Sequence, residues 1–473
     1  MSYMNILDAN FMHQSLVQGP LRNSARHCGA VFALGLLLSS VSGSVFSQSL
    51  NDTLQAAWGN DPGLQAAAAN RVAAKENIGI AKSRLLPQAN VQGSNSNLSQ
   101  TTTQNTNLGP QANAFRGTSY NYTLSVRQGL IRPRDWMGLD LGRQQAFYGE
   151  LKFQSAKSDL WNRAANAWID LLSAQMTKMT YAKAIQTIAE SAKQETQRFE
   201  KGDGTKDSMI EAQAQLKQAK AMLSDAELNV KSKLKAFKSL TGLDSNDWLN
   251  RSLPKQNRIN FNAFGKDVLW GRIEEETPEL LAAVAVERIN QIKAQQSKYD
   301  AYPTLDAFGQ STNAQNDTTN TLGYQYRNNQ VGVQLSYPLY AGGGLEATKR
   351  QSVATYEASI ADRESLSVRI QNQFDGDWSA QAGFLDKAEA AEALVLAAQE
   401  QKKAAEMGIQ QGMRTWTDVS NAALLLARRE ADLNNVLVNL YKLQSRILSL
   451  LPSDDPAWDE WVRQLDLASL ENK

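Results

Sequence analysis

Gly412-Met413-Arg414-Thr415-Trp416-Thr417-Asp418-Val419-Ser420-Asn421-Ala422 and Gly202-Asp203-Gly204-Thr205-Lys206-Asp207-Ser208-Met209-Ile210-Glu211-Ala212 are two copies of one pattern, 210 residues apart. Each copy opens a long run of regularly spaced residues. In the first the stripe is Met209, Ala212, Leu216, Ala219, Leu223, Ala226, Val230, Lys233, Phe237 and Leu240. In the second it is Val419, Ala422, Leu426, Arg429, Leu433, Val436, Leu440, Leu443, Ile447 and Leu450. All ten positions coincide at the same offset, with one polar exception per copy, Lys233 and Arg429. An alternating 3-4 spacing is the seven-residue repeat of a coiled-coil seam, and it predicts a pair of long helices that pack along their length. The seams end at breakers, Gly242 and Pro452.

Outward from these seams, prolines punctuate the chain. Residues 134–253 and 339–451 contain none and are rich in Ala, Gln, Glu, Lys and Leu, so both read as long helix. A helix of about 65 residues reaches about 100 Å at ~1.5 Å per residue, more than a compact domain needs. The repetition extends upstream: Asp61-Pro62-Gly63-Leu64 corresponds to Thr277-Pro278-Glu279-Leu280, and Leu86-Pro87-Gln88 to Tyr302-Pro303-Thr304, here at an offset of 216.

Between the helical stretches, residues 88–131 and 304–340 are rich in Asn, Gln, Ser, Thr, Gly and aromatics, and they alternate. Tyr120, Tyr122, Leu124 and Val126 are every second residue of one run; Val331, Val333, Leu335, Tyr337 and Leu339 repeat the pattern in the other. Ala89, Val91 and Gly93 keep parity with Leu305, Ala307 and Gly309. Each half is thus expected to supply two strands of roughly 9 to 12 residues, a length that crosses a bilayer at a tilt. Polar loops, Ser94 to Ser119 and Ser311 to Arg327, are expected to join them. Four strands cannot close a membrane barrel, and lipid tolerates no open sheet edge, so the barrel has to be shared between chains. Three chains of two similar halves give twelve strands and approximate sixfold symmetry.

Composition narrows the function. Of 473 residues, 49 are Lys or Arg and 48 Asp or Glu, a net +1 with no basic run, which argues against nucleic acid. The only histidines and cysteine are His13, His27 and Cys28. They fall within a leader: Arg22 and Arg26 form a positive segment, Gly29 to Leu38 an apolar one, and Val45-Phe46-Ser47 a cleavage site before Gln48. The start codon is Met1 or Met12. Removal of 1–47 leaves 47 charges of each sign and no His or Cys, which excludes Ser-His and Cys-His nucleophiles, the usual zinc ligands and structural disulfides. No cofactor and no enzymatic activity are expected. Cys28 lacks the small, apolar context of a lipid-attachment signal. Gly342-Gly343-Gly344 lacks the Lys of a phosphate loop and reads as a turn opening a helix. Trp248, Trp270, Trp458 and Trp461 are expected to pack a mixed belt beside the long helices.

Asn60-Asp61-Pro62-Gly63-Leu64, Ser83-Arg84-Leu85-Leu86-Pro87-Gln88, Tyr337-Pro338-Leu339-Tyr340-Ala341-Gly342-Gly343 and Gly412 to Ala422, in this order over Leu50 to about Leu451, resemble the TolC family of outer-membrane channel-tunnels. The resemblance implies an α+β membrane protein of two internal repeats, in which a long coiled-coil α-helical barrel carries four β-strands per chain into a 12-stranded trimeric transmembrane β-barrel. Its segments are 1–47 as N-terminal extension and signal peptide, 48–242 as first repeat, 243–277 as an inter-repeat equatorial segment, 278–451 as second repeat, and 452–473 as an equatorial tail. The implied partners are two further copies of the chain, outer-membrane lipid, a periplasmic adaptor, and an inner-membrane ABC or proton-driven pump. The implied place is the outer membrane of a Gram-negative bacterium, with the helical tunnel in the periplasm. The implied role is a passive duct in type I protein secretion, in small-molecule efflux, or in both. A non-pore structural coiled-coil protein of the envelope is the alternative reading.

The resemblance also places a gate and constriction at the periplasmic end. Arg414 matches the family's linking arginine and Asp418 its first acidic ring, both beside Gly412 and Thr415. The second ring position is Asn421 here, where the best-known members carry Asp. In the first copy, after Gly202, the linking partners fall on Asp207 and Ser208, and Glu211 is the counterpart of Asn421. An acidic lining built from one acid per repeat, Asp418 and Glu211, is the resulting expectation.

Overall fold

The computed structural model describes residues 49–243, 252–254, 261–317 and 323–470. The expected leader, 1–47, and Trp248 lie outside the described residues. Local signals start the helices. Ser49 and Asp52 form a reciprocal cap for α1 (Leu50–Asn60). Asp61 then caps α2 (Pro62–Ser83) by accepting the Leu64 N–H at 2.9 Å. Proline opens α2, α3 (Pro133–Glu200), α6 (Pro278–Tyr299) and α9 (Pro456–Leu470), the position where its missing N–H costs nothing. The remaining helices are α4 (Lys206–Thr241), α5 (Lys266–Glu276), α7 (Gly344–Gln410) and α8 (Trp416–Leu448). α3 and α7 are 68 and 67 residues long, about 100 Å each at ~1.5 Å per residue. α7 begins at the glycine run, with Gly342 and Gly343 at positive φ, as a turn opening a helix requires.

α4 packs along α3, and α8 lies between α3 and α7. Every residue of both seams is buried or half-buried. The polar exception in the first is explained by its partner: Lys233 Nζ lies 3.0 Å from Asp170 Oδ2 on α3, and Lys442 of α8 reaches the other oxygen at 2.5 Å. α4 stops at Gly242, at φ 71. One apolar cluster gathers Leu50 and Leu54 of α1, Trp168 of α3, Phe237 of α4, Phe374 of α7 and Tyr441 of α8 with Leu253, Phe261, Leu269 and Ile273. Trp458 and Trp461 of α9 are fully buried in it and Trp270 packs on its margin. Burying each such side chain is worth about 1.5–3 kcal/mol, which fixes the middle of the long helices against one another.

The strands β1 (Gln88–Thr106), β2 (Gly109–Ile131), β3 (Thr304–Asn316) and β4 (Tyr324–Ser336) form one antiparallel sheet in sequential order. Register aligns the alternation across all four: Ala89 opposes Val126, Val126 opposes Gly309, and Gly309 opposes Val331. One face therefore collects Val91, Leu124, Val126, Val331, Val333 and Leu335, all exposed. The other collects Asn90, Ser125, Gln310 and Gln330. The expected strand lengths and loops need correction. β1 and β2 are 19 and 23 residues long and run through the expected loop to a tight turn at Asn107 and Leu108. The second expected loop likewise shrinks, since β3 continues to Asn316 and β4 resumes at Tyr324. Pairing supplies the order that alternation does not signal there: Asn97 to Thr106 register with Gly109 to Thr118, beyond the limit of β3. Beyond β2, a bulge between Gly129 and Ile131 turns Arg132 back onto Asp306, and its Nε and Nη2 bind the two carboxylate oxygens at 2.6 Å each. No helix among the described residues is long and apolar enough to cross a membrane.

Candidate functional site

The two glycine turns that attract attention in the sequence make matching backbone bonds. Gly202 N–H donates to Phe199 O and Asp203 N–H to Arg198 O; Gly412 N–H donates to Ile409 O and Met413 N–H to Gly408 O, 210 residues on. Gly202 and Gly412 sit at φ 82 and 71, the left-handed conformation that closes a helix. The chain then reverses into α4 or α8, each opened by a threonine. Thr205 Oγ1 accepts the Ser208 N–H at 3.2 Å. Thr415 Oγ1 accepts the Asp418 N–H at 3.2 Å, while Asp418 Oδ2 accepts from Thr415 N–H at 2.8 Å and Thr415 Oγ1 at 3.0 Å. Those two bonds, with the nearby Arg414 charge, hold the Asp418 carboxyl below its usual range and keep it ionised.

Of the residues expected here, the structure joins some and separates others. Glu211 and Asn421, on α4 and α8, are brought together by Gln215, whose Nε2 donates to Glu211 Oε1 at 3.2 Å and Asn421 Oδ1 at 2.7 Å. Arg414 lies over the last turn of α7, where a β-carbon on Gly408 would fall 2.5 Å from its Cγ. Among the described residues no hydrogen bond or ion pair joins Arg414 to Asp207 or Ser208 within the chain. Asp207 and Arg414 are exposed.

Two participants are not among the residues singled out in the sequence. Gln215 is the bridge. The other is Glu195 of α3, only 1% exposed, whose Oε1 accepts the Trp416 N–H at 3.2 Å and lies 3.5 Å from Arg198 Nη1. Its one sequence signal is register, seven residues after the buried Ile188. Thr415 and Asp418 are singled out there, but their Thr-x-x-Asp spacing is also a capping-box signature and could have been read as one. The described residues of the two turns thus present carboxylates, side-chain amides and the exposed Arg414 guanidinium at paired helix ends.

The family model for outer membrane efflux proteins matches residues 53–243 and 269–451. The chain is 26% identical over 431 residues to the outer membrane protein TolC of Vibrio cholerae, covering 88% of this chain and 94% of that protein. It is 25% identical over 390 residues to the alkaline protease secretion protein AprF of Pseudomonas aeruginosa, covering 82% of this chain and 81% of that protein. In fold it is similar to the outer membrane channel CmeC of Campylobacter jejuni, with a TM-score of 0.70 at 15% identity over 94% of this chain and 99% of that one.

Proposed function

Since the chain belongs to the outer membrane efflux protein family, we propose that three copies form a continuous duct, a twelve-stranded barrel in the outer membrane over a helical tunnel in the periplasm. The observation that carries this reading is the sheet. Its exposed apolar face is what lipid requires, its opposite face is polar, and β1 and β4 are left as unpaired edges. A lone four-stranded sheet with such a face would aggregate in water and could not close in lipid. Two further copies supply eight strands and remove every edge. The two halves, 48–242 and 278–451, each contribute two strands and one pair of long helices, with the described residues of 243–277 and 452–473 packed at the middle of the tunnel.

The glycine turns form its periplasmic end. Asp418 from three chains makes an anionic ring, and Glu211 with Asn421 lines the next level, so the entrance favours cations. Arg414, exposed and with no hydrogen bond or ion pair to Asp207 or Ser208 among the described residues of its own chain, pairs with Asp207 or Ser208 of the neighbouring copy and holds the end shut. A periplasmic adaptor that binds the splayed arrangement better than the closed one opens it, and an inner-membrane ABC or proton-driven pump supplies the energy. The duct performs no chemistry of its own. The likeness to a protein named for protease secretion supports secreted proteins as cargo, alongside small-molecule efflux.

Conductance of the purified protein in planar lipid bilayers tests this. Discrete current steps with cation preference are expected, larger in Arg414→Ala and less selective in Asp418→Ala. A protein that gives no steps is a structural coiled coil. Cargo is resolved by comparing culture medium and antibiotic susceptibility of a deletion strain with its parent.

A further inference from the structure

Glu195 is a carboxylate buried to 1% exposure near the far end of a helix whose neighbours are otherwise small or half-exposed. A buried charge persists only where it has partners, and Glu195 has two: the backbone N–H of Trp416, first residue of α8, and the Arg198 guanidinium one turn on along α3. The N–H groups of a helix's first turn have no partner within the helix and carry its positive end, so Glu195 acts on α8 both as acceptor and as counter-charge.

The rest of the α3/α8 contact divides in two. From Leu437 upward α8 is held by the large side chains around Trp168, Leu172 and Tyr441. At the boundary Asn434 Nδ2 donates to Ser173 O, Ser173 Oγ and Thr177 Oγ1, at 2.8–3.0 Å. Below it the α8 face is Ser420, Ala423, Leu424, Ala427 and Ala431, where Ala423, Leu424 and Ala427 join a smaller apolar cluster with Ala184 and Ile188 of α3. The Thr417 and Ser420 hydroxyls are buried there without a hydrogen-bond partner among the described residues, so parting the helices would hydrate both and offset part of that packing. Nearer the turn, the bond that ties the first residue of α8 to α3 is the one from Glu195. Its counterpart 210 residues on is Ala405, so the same carboxylate bond cannot form at the start of α4.

We propose that Glu195 is a positioning residue that latches the start of α8 to α3 of the same chain, with Asn434 as the pivot, and so sets how readily the periplasmic end splays. The latch rests on the reading of 412–421 as that closing end. It occurs once per chain, three times in the trimer, and makes the two helix pairs of a chain unequal: the start of α8 carries this bond to α3 and the start of α4 has no counterpart of it.

The test is single-channel conductance of the full-length trimer in planar bilayers, with heat stability of the trimer measured alongside. Glu195→Ala is expected to raise conductance by about threefold or more with the trimer's melting unchanged, and Glu195→Gln, which keeps an acceptor but no charge, by less. Trp416→Pro removes the same bond from the donor side: proline suits the first position of a helix, and Thr415 is already extended at φ −101 and ψ 162. It should match Glu195→Ala, while Trp416→Phe, which alters only the side chain, stays at the parent's value. Unchanged conductance in Glu195→Ala and Trp416→Pro, where Arg414→Ala raises it, overturns the latch and leaves the gate. If Arg414→Ala changes nothing either, the gate reading falls and the latch with it.

Discussion

Asp418 closes the α8 cap and, in the proposed trimer, lines the entrance; the two roles respond differently to substitution. Asp418→Asn keeps a side chain that can accept the Thr415 N–H but loses charge, so it should cost about 1 kcal/mol or less of stability and most of the ring's cation preference. The sign of the pH effect follows from the depressed carboxyl. Its stabilisation is complete above the ordinary aspartate value of 3.8 and is lost as pH falls through the lower native value. Thermal melts of parent and Asp418→Asn should therefore differ by a constant amount at neutral pH and converge below about pH 4. Asp61, which caps α2 and is held low chiefly by its hydrogen bond from Arg163, behaves in the same sense, so acid loosens the middle of the helical region and its glycine-turn end together. Residues of this kind divide by legibility. Asp418, Asn421 and Glu211 stand out through their place in a repeated motif. Gln215 and Glu195 do not, because their importance comes from partners more than 200 residues away in sequence.

Among elements, the seams were the readable part, since a seven-residue period dictates which face of a helix is covered whatever covers it. The polar exceptions needed the structure. Lys233 occupies its seam position because Asp170 lies opposite and is shared with Lys442. Asp170→Ala leaves two ammonium groups facing each other between three helices, and about 1–2 kcal/mol should be lost after allowance for their partial exposure, read as a lower melting temperature. Lys233→Leu keeps the Lys442 pair and completes the apolar stripe, so it should change stability by less than about 1 kcal/mol. Strand ends escaped the sequence for the opposite reason. Past Ser96 in β1 both faces are polar, alternation carries no information, and only the register with Gly109 to Thr118 shows that the chain stays extended.

For the whole molecule, the decisive quantity is the apolar surface left uncovered on one face of the sheet. Val333 lies on that face, between Val331 and Leu335 of the edge strand β4, and is 67% exposed. Val333→Lys should cost about 2–4 kcal/mol if this position reaches the bilayer midplane, and correspondingly less near an interface. Its readout is loss of heat-resistant trimer from the outer-membrane fraction, with Gln330→Lys on the polar face as a tolerated comparison. Equal tolerance of both substitutions would remove lipid from the account of the sheet. The β1–β2 hairpin extends beyond β3 and β4 by about ten residues per strand, roughly 34 Å, and ends at Leu108, which is 92% exposed. In a duct whose other end faces the periplasm, that tip is the part of the protein an antibody or a labelling reagent meets on a living cell. The one cysteine of the sequence, Cys28, falls in the expected leader, so if that segment is removed Leu108→Cys turns the hairpin into a single address at which a fluorophore can report, from outside, whether the assembled protein has reached the surface.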